Sequence, residues 1–475
     1  MLVAGVAPAQ VLDTVLRFPG RRVGALVLLP DQDRVYVPVP TYNYAPSTHS
    51  RDLFAFVLDE ASHEVIGQLR LPGILGRTGP SQDLLNPKME RFYSGDWGVA
   101  GDEILTAVVD YRTDTFLRWV DTKHYFQIAA LNRLRNRVYG VAGTLGVFDC
   151  ETESIVRVIA AEHELASFSV WDSVGDKVYV GTAPFFTRPD LLTAVDCRTD
   201  SIVAVLRTGT DSPEREWVVC ATELRKLYIA SPYPPSFNLA VVDCDADTLI
   251  RSLRVGRAVG GPMVYNHAEN KLYFTTYNQR LPPYDTLALV VVDCRTDSIV
   301  RLVRSPGLNG RGLFISQALA DWSNRLYFVV GDGHDILLSA LDCRTDSIVG
   351  QARIPRRNVG FVYANPRNRM LYVAASWDSV SGYQQELQIF RDELQAVSEE
   401  QPAATRPSAP LRVAPNPARN LLRLSGTEDV GLYASDGRRV AVLQPGENDV
   451  RHLARGVYFV RRWDTGESAR LVLVR

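Results

Sequence analysis

Short apolar runs alternate with tight polar turns along most of the chain. The clearest example is the segment 291–300, in which Asp293-Cys294-Arg295-Thr296-Asp297 lies between two runs of Val and Ile. Such alternation, bounded by Asp and Asn, predicts a strand, a tight turn and a second strand. The segment recurs as near copies at 195–203 and 341–349 and as looser copies at 148–156 and 242–250. A copy at 109–117 has lost the cysteine, and only the apolar residue and the aspartate remain at 58–60.

A second repeated feature precedes each turn. It is a lysine or arginine (a methionine in the last copy), an apolar residue and a tyrosine, as in Lys271-Leu272-Tyr273. Units of about 40–50 residues that are rich in strands are typical of propeller blades. The eight tyrosines, which lie 40–57 residues apart, are Tyr36, Tyr93, Tyr139, Tyr179, Tyr228, Tyr273, Tyr327 and Tyr372.

The best unit divides into four strands, at 262–265, 271–277, 287–294 and 298–304. The last unit has only three, at 361–363, 370–374 and 387–391, whereas residues 13–19 resemble an orphan fourth strand. The N-terminal strand would therefore complete the last blade and remove two exposed sheet edges. We predict an all-β chain whose residues 11–394 form an eight-bladed propeller, or a seven-bladed one if the divergent unit 81–121 merges with a neighbour.

The repeated pattern L-Y-V, V-V-D and T-D-S-I-V resembles the YVTN-type β-propeller repeat of bacterial surface-layer and secreted proteins. The resemblance covers about four-fifths of the chain. It implies the fold and an exported location, but no particular activity, because propellers support many unrelated functions.

A second module follows the repeats. Residues 395–411 contain Pro402, Pro407 and Pro410 among Ala, Ser and Glu, which indicates a linker. Residues 412–475 are rich in strand patterns, and Asp436-Gly437 between apolar runs predicts a hairpin. We expect a small β-sandwich here.

The motifs of this module resemble the C-terminal sorting domain of type IX secretion cargo. The resemblance implies export across an outer membrane and the type IX secretion machinery as a partner. The lysine usual near the terminus in that family is replaced by Ala469-Arg470, and the alternative is an ordinary accessory β-sandwich. The residues that carry the resemblance are Pro415, Asn416, Pro417, Gly437, Gly456, Tyr458 and Arg475.

Composition and charge exclude several classes of function. A hydrophobic content of 46% with 22% charged residues is ordinary for a globular protein. The net charge of −2 gives no basic surface for nucleic acid. No stretch approaches the roughly 20 apolar residues of a membrane-spanning helix. Residues 1–10, with Ala7 and Ala9 spaced as at a cleavage site, either are the remnant of a signal peptide cleaved after Ala9 or form a plain apolar tail.

The repeated cysteines and aspartates are better explained by structure than by metal binding. Blades lie about 10 Å apart, whereas a disulfide needs Cα atoms within about 7 Å, so equivalent cysteines of neighbouring blades do not pair. We expect five of them to be buried between blades and Cys220 to be a free thiol. The aspartates lack the order of an EF-hand, and we expect them to cap their own turns. The residues concerned are Cys150, Cys197, Cys244, Cys294 and Cys343, and Asp149, Asp196, Asp200, Asp243, Asp247, Asp293, Asp297, Asp342 and Asp346.

No catalytic, metal or cofactor motif stands out. Glu162-His163-Glu164 is a local cluster without a metalloprotease frame, and a solvated loop explains it better. We predict no catalytic residue, no metal site and no cofactor.

The loops differ between the two faces of the predicted propeller. The turns after the first and third strands are short and alike, whereas the loops after the second and fourth strands vary and carry aromatic residues. Loops on a rigid scaffold are common binding sites, and aromatic rings give contact area at low entropic cost. Local packing of the loops is the alternative. The candidate binding residues are Tyr42, Tyr44, Phe185, Phe186, Arg215, Trp217, Tyr233, Phe237, Tyr277, Tyr284, Arg311, Trp377 and Tyr383.

We therefore expect a secreted or outer-membrane-surface scaffold that binds a protein, peptide or glycan through this variable face. The alternatives are a hydrolase or lyase of the lactonase kind, with a site at the mouth of the central channel, and a purely structural envelope component. We predict a chain that binds no nucleic acid and is not an integral membrane protein.

Overall fold

The chain forms two compact units, Met1–Gln395 and Ala396–Arg475, in a computed structural model. The predicted linker at 395–411 and the signal-like residues 1–9 lie outside the described residues. The structure describes residues 10–19, 26–29, 32–40, 53–71, 84–95, 105–122, 129–161, 165–182, 191–209, 217–230, 238–255, 258–259, 262–277, 288–304, 313–331, 336–354, 358–379, 382–392, 413–424, 430–434, 439–444, 446–461 and 468–474.

The first unit is a series of antiparallel sheets, which we number 1–8 in chain order. Its first strand, β1 (Gln10–Pro19), belongs to sheet 8. Sheet 1 contains β2 (Val27–Leu28), β3 (Arg34–Pro40), β4 (Leu53–Asp59) and β5 (Val65–Leu71). Sheet 2 contains β6 (Leu84–Asn86), β7 (Arg91–Gly95), β8 (Leu105–Asp110) and β9 (Thr115–Asp121). Sheet 3 contains β10 (Ala129–Asn132), β11 (Arg137–Ala142), β12 (Thr144–Asp149) and β13 (Ser154–Ile159).

The same arrangement continues through the rest of the unit. Sheet 4 contains β14 (Leu165–Asp172), β15 (Lys177–Thr182), β16 (Leu191–Asp196) and β17 (Ser201–Arg207). Sheet 5 contains β18 (Trp217–Ala221), β19 (Lys226–Ala230), β20 (Asn238–Asp243) and β21 (Thr248–Arg254). Sheet 6 contains β22 (Ala258–Val259), β23 (Val264–Asn266), β24 (Lys271–Tyr277), β25 (Ala288–Asp293) and β26 (Ser298–Arg304).

The last two sheets complete the series. Sheet 7 contains β27 (Leu313–Ala320), β28 (Arg325–Gly331), β29 (Ile336–Asp342) and β30 (Ser347–Ile354). Sheet 8 contains β31 (Asn358–Asn365), β32 (Met370–Ser379) and β33 (Gly382–Asp392), with β1 as its outermost strand. Short 3-10 turns at Thr222–Leu224 and Asp321–Ser323 follow β18 and β27.

The N-terminal strand closes the last sheet. β1 runs antiparallel to β33, from Gln10 opposite Asp392 to Pro19 opposite Gln384. This confirms the predicted closure, which unites the two ends of the unit in one sheet and pairs β33 on both sides.

The hydrophobic core consists of clusters shared by consecutive sheets. One cluster joins sheets 5 and 6 through Tyr228, Leu272 and Val292. Another joins sheets 8 and 1 through Tyr372, Leu387 and Val35, so the series of sheets closes on itself. Buried side chains of this size stabilise a fold by about 1.5–3 kcal/mol each. The eight clusters lie between sheets 1 and 2, 2 and 3, 3 and 4, 4 and 5, 5 and 6, 6 and 7, 7 and 8, and 8 and 1.

The all-β propeller prediction is confirmed. The count of eight blades remains a prediction, which the eight sheets of the described residues support. The predicted strands of the unit 262–304 agree with β23 to β26 within two residues at each end. The sequence pattern did not reveal β22, which pairs with the end of β24.

The second unit contains two sheets that share one core. The first consists of β34 (Val413–Ala414), β35 (Leu421–Leu424) and β38 (Gly446–Asp449). The second consists of β36 (Val430–Ala434), β37 (Arg439–Leu443), β39 (Gly456–Arg461) and β40 (Ser468–Leu473). Leu422 of the first sheet and Leu432, Val460 and Leu471 of the second are buried in a common cluster. This arrangement is the predicted small β-sandwich.

Candidate functional site

The turn between the third and fourth strands has the same geometry in most sheets. In sheet 6, Asp293 Oδ1 accepts the backbone N–H groups of Arg295 and Thr296 at 2.8 and 2.9 Å. Asp297 ends this turn with a φ of 51°, a left-handed conformation that Asp tolerates better than most residues. The predicted capping role is therefore correct for the first aspartate of the turn. It recurs at Asp59, Asp110, Asp149, Asp243 and Asp342.

The second aspartate of the turn has a different role from the one we predicted. Asp297 accepts a 2.8 Å hydrogen bond from the hydroxyl of Tyr228, and its other oxygen lies 2.8 Å from Lys226 Nζ. Tyr228 and Lys226 belong to β19, so these bonds join sheet 5 to the turn of sheet 6. We call this arrangement the clasp. The prediction that Asp200, Asp247, Asp297 and Asp346 cap their own turns is wrong, because all four accept from the preceding sheet.

The clasp recurs around the unit with little change. In each complete copy a tyrosine and a cation of one sheet bind the aspartate of the next. The copies are Tyr36 and Arg34 with Asp114, Tyr139 and Arg137 with Asp200, Tyr179 and Lys177 with Asp247, and Tyr273 and Lys271 with Asp346. Their Tyr–Asp distances lie between 2.6 and 3.0 Å. Hydrogen bonds to a charged group contribute about 1.5–3 kcal/mol each. The clasp therefore ties consecutive sheets together at the face where these turns lie.

Burial fixes the protonation state of the clasp tyrosines. It is the main cause that raises the pKa of the Tyr228 and Tyr273 hydroxyls far above the ordinary value. Each hydroxyl therefore stays protonated and donates its hydrogen to the aspartate. A tyrosine held in this way is a structural donor and not an acid–base group.

The cysteine of each turn is a junction of the backbone. The N–H of Cys294 donates to the carbonyl of Asn270 in the turn after β23, at 2.8 Å. Its own carbonyl accepts from Tyr228 and Lys226 of the preceding sheet, at 3.2 and 2.9 Å. These bonds place the two short turns of a sheet on one face, as the strand order requires.

The cysteine side chains are buried, as we predicted. Burial raises the pKa of Cys294 to about 12 and that of Cys343 to about 11, so both are neutral thiols near pH 7. Neutral buried thiols are poor nucleophiles and poor metal ligands. Cys220 is partly buried and free, and its side chain lies in the same cluster as Cys244. None of the described residues forms a group of three or more His, Cys, Asp or Glu suited to a metal ion.

Most candidate binding residues lie outside the described residues. This applies to Tyr42, Tyr44, Phe185, Phe186, Arg215, Tyr233, Phe237, Tyr284 and Arg311. Tyr277 ends β24, Trp377 lies in β32 and Tyr383 lies in β33, all at the strand ends opposite the short turns. Trp217 begins β18 and packs, partly buried, against the cluster between sheets 5 and 6. The candidate residues therefore stay predictions, and Trp217 also has a packing role.

The sorting-domain residues fall into two groups in the second unit. Asn416 bridges to the last strand, since its amide donates to the carbonyl of Arg470 at 2.7 Å and its oxygen accepts from the N–H of Val472 at 2.9 Å. Tyr458 is buried in β39 and donates to the carbonyl of Ala454 at 2.8 Å. Pro415 and Pro417 are exposed on either side of Asn416, Gly456 begins β39, and Gly437 and Arg475 lie outside the described residues.

Sequence reasoning missed the clasp cations and the partner of the second aspartate. The signal was present in the repeated Lys-Leu-Tyr and Arg-Val-Tyr triplets, whose cation and tyrosine point to the same side of a strand because side chains alternate. A repeated acid elsewhere in the unit is the natural partner of such a pair.

Comparison with solved structures places the chain among β-propellers. BamB from Moraxella catarrhalis is similar with a TM-score of 0.51 and 14% identity over 80% of this chain and 99% of the other. The Cps50 (Swd1) β-propeller domain of Myceliophteria thermophila has a TM-score of 0.44 and 11% identity over 66% of this chain and 97% of the other. No protein-family model matches the sequence, and no curated protein matches it. The likeness to BamB defines the class of protein by its fold alone.

Proposed function

We propose that this chain is an exported β-propeller that acts as a scaffold for binding a protein, peptide or glycan at the cell surface. The observation that carries the proposal is the contrast between the two ends of the sheets. The short-turn face is built from a repeated set of buried contacts, and the loops at the other end differ in every repeat. Uniform contacts maintain a fold, whereas variable loops on a rigid frame are suited to recognition.

Rigidity of the frame supports this role. In sheet 5, the clasp of Tyr228 and Lys226 uses both oxygens of Asp297, and the cluster between sheets 5 and 6 buries the apolar face behind it. A frame of this kind keeps the strand ends that carry the loops in fixed positions when a ligand binds, which favours affinity. We infer that the ligand contacts the strand ends where β24, β32 and β33 carry Tyr277, Trp377 and Tyr383.

Nothing in the short-turn chemistry offers a competing site. The turn thiols are neutral, the turn tyrosines are hydrogen-bond donors, and the clasp aspartates are paired. These groups support the fold, and we therefore propose that recognition takes place on the opposite face.

Export is the second part of the proposal. The C-terminal sandwich carries the order of motifs of type IX sorting domains, and the repeats resemble YVTN-type propellers. In the second unit, the hydrogen bonds of Asn416 hold the first and last segments of the sandwich together, and the hydroxyl of Tyr458 fixes the turn that leads into β39. We propose that the sandwich directs the chain through type IX secretion, and that the YVTN resemblance reflects a cell-surface role. No helix in the described part of the chain is long and apolar enough to cross a membrane.

A capture experiment tests the binding proposal. The full chain is immobilised beside a loop variant, Tyr42→Ala/Tyr233→Ala/Tyr284→Ala, and a matched variant of the short-turn face, Arg295→Ala/Arg344→Ala. All three are exposed to envelope extract and to a glycan array. We expect the wild type and the turn variant to retain the same ligand and the loop variant to lose it. Equal retention by all three, or no retention by the wild type, would count against the proposal.

A reporter experiment tests the proposed export through type IX secretion. Residues 411–475 are fused to a fluorescent reporter in a host with type IX secretion, beside the reporter without the segment. Export of the fusion alone is the expected result. Retention of the fusion in the periplasm would exclude the sorting role.

A further inference from the structure

The junction at which the ring closes differs from the other junctions. Sheet 8 supplies Met370 where the complete clasps have a lysine or arginine, and sheet 1 supplies His63 where they have an aspartate. His63 has the same left-handed backbone, with a φ of 58°. Both members of the usual ion pair are therefore absent at this junction.

The outermost strand is changed as well. Every outer strand of sheets 1–7 contains a β-bulge whose extra residue is aliphatic. These residues are Ile66, Leu117, Val156, Val203, Ile250, Val300 and Val349. In sheet 8 the bulge of β1 lies between Leu12 and Thr14, so the extra residue is Asp13.

Two of these replaced residues, Asp13 and His63, are in contact. Asp13 Oδ2 lies 3.3 Å from Nδ1 of His63, whose side chain is 6% exposed. The other oxygen of Asp13 pairs with Arg391 of the neighbouring strand. Tyr372, which occupies the position of a clasp tyrosine, stands edge-on to the His63 ring at 6.4 Å, and its hydroxyl accepts from Asn368 at 2.8 Å.

The polarity of this contact is the reverse of that at other junctions. At the complete clasps the turn supplies acceptors and the preceding sheet supplies donors, including outer-strand arginines such as Arg157 and Arg301, which donate to turn carbonyls of the next sheet. In the contact between Asp13 and His63 the acid lies on the outer strand and the donor on the turn. A separate ion pair between Arg367 of sheet 8 and Glu60 of the turn supports the same junction and has the ordinary polarity.

We propose that this reversed clasp selects the N-terminal strand for ring closure against the seven other outer strands, whether of the same chain or of a second copy. The seven other outer strands carry an aliphatic residue at the bulge position of Asp13, so each of them would leave Nδ1 of His63 without an acid. Conversely, Asp13 in another sheet would approach the aspartate of the next turn, and like charges in contact are unfavourable. Discrimination by mismatched charges is a known way to exclude wrong partners.

The test is hydrogen exchange of the native full chain, followed in peptides that cover 10–19 and, as an internal control, 201–207. His63→Asp makes the turn of sheet 1 like the others without straining its backbone, because Asp accepts the left-handed conformation. It places two carboxylates together where Met370 stands in place of the clasp cation, and Arg391 is the partner of only one oxygen of Asp13. We expect exchange in 10–19 to rise about tenfold, which corresponds to about 1.4 kcal/mol of local opening, while 201–207 stays within twofold.

The exchanged pair provides the decisive variant. Asp13→His/His63→Asp restores one acid and one donor, and we expect exchange in 10–19 to return to within about threefold of the wild type. If the single variant does not fold, rescue of folding by the exchanged pair supports the proposal equally. Unchanged exchange in the single variant, or no recovery in the exchanged pair, would overturn it.

Discussion

The clasp predicts a large and specific loss of stability when Asp297 is changed. Its two oxygens accept from Tyr228 and Lys226 at 2.8 Å, and the side chains of Lys226 and Asp297 are only 16% and 8% exposed. In Asp297→Asn one oxygen remains for the tyrosine, but the amide group faces the lysine donor. The backbone is not strained, since Asn is also tolerated at positive φ.

The magnitude follows from the contacts that are lost. Removing one partner of a buried ion pair costs about 3–5 kcal/mol, and the residual exposure of Lys226 together with its bond to the Cys294 carbonyl favours the lower end. We therefore expect Asp297→Asn to lower the free energy of unfolding by about 3 kcal/mol. Tyr228→Phe, which removes one hydrogen bond to a charged acceptor, is expected to cost about 1.5 kcal/mol.

The assay is urea unfolding followed by tryptophan fluorescence, with Arg295→Ala as the matched control. Arg295 lies in the same turn but is exposed, so its removal should change stability by less than about 0.5 kcal/mol. The double variant Tyr228→Phe/Asp297→Asn should cost at least about 0.5 kcal/mol less than the sum of the single variants, because the two residues share a bond. A cost for Asp297→Asn no larger than that for Arg295→Ala would refute the reasoning.

Three further predictions follow from other contacts. Cys220 is partly exposed, and a hydrogen bond from Cys244 is the main cause that lowers the pKa of its thiol. We therefore expect iodoacetamide to alkylate Cys220 before Cys343 in the native chain, as measured by mass spectrometry of the adducts. Earlier reaction of Cys343 would contradict its burial. The Arg198 side chain holds the pKa of Asp196 at about 2, so the stability that this pair contributes is present above about pH 4 and is lost as the pH falls towards 2. We expect Arg198→Ala to raise the pKa of Asp196 in an NMR titration. An unchanged pKa would exclude the pairing. Asn416→Ala breaks both bonds to the last strand and should destabilise the second unit by about 1–3 kcal/mol; a calorimetric transition of that unit at the wild-type temperature would contradict this.

The fold could be predicted from the sequence because the same local pattern occurs in each repeat. Alternating β-branched residues, an aspartate that caps its own turn and a polar residue at the left-handed position are all local features. The N-terminal strand was recognisable for the same reason, since residues 13–19 carry the pattern that the last unit lacks.

The clasp was not predicted because its partners lie far apart in the chain. Asp293 and Asp297 have the same side chain within one turn, yet one accepts from its own backbone and the other from β19. Only the packing of sheet 5 against sheet 6 distinguishes them. Likewise, Met370 and His63 are visible as departures from the repeat, but the role of His63 depends on Asp13, which is brought to it by the pairing of β1 with β33.

The binding residues could be predicted only as a class. Aromatic residues in variable loops indicate a surface, whereas the conformation of such loops depends on contacts that no periodic pattern describes. Trp217 illustrates this point, since it was selected as a loop residue but lies in β18 against the core.

The central claim is that the variable face, and not the short-turn face, recognises the ligand. The most direct measurement is site-specific photo-cross-linking of the full chain in its native envelope, with the photoreactive residue at position 233 or 284 on one face and at position 296 or 345 on the other. We expect discrete adducts when the photoreactive residue stands at position 233 or 284, and none when it stands at position 296 or 345. Adducts that arise from 296 or 345 alone, or no adduct from any of the four positions, would contradict it.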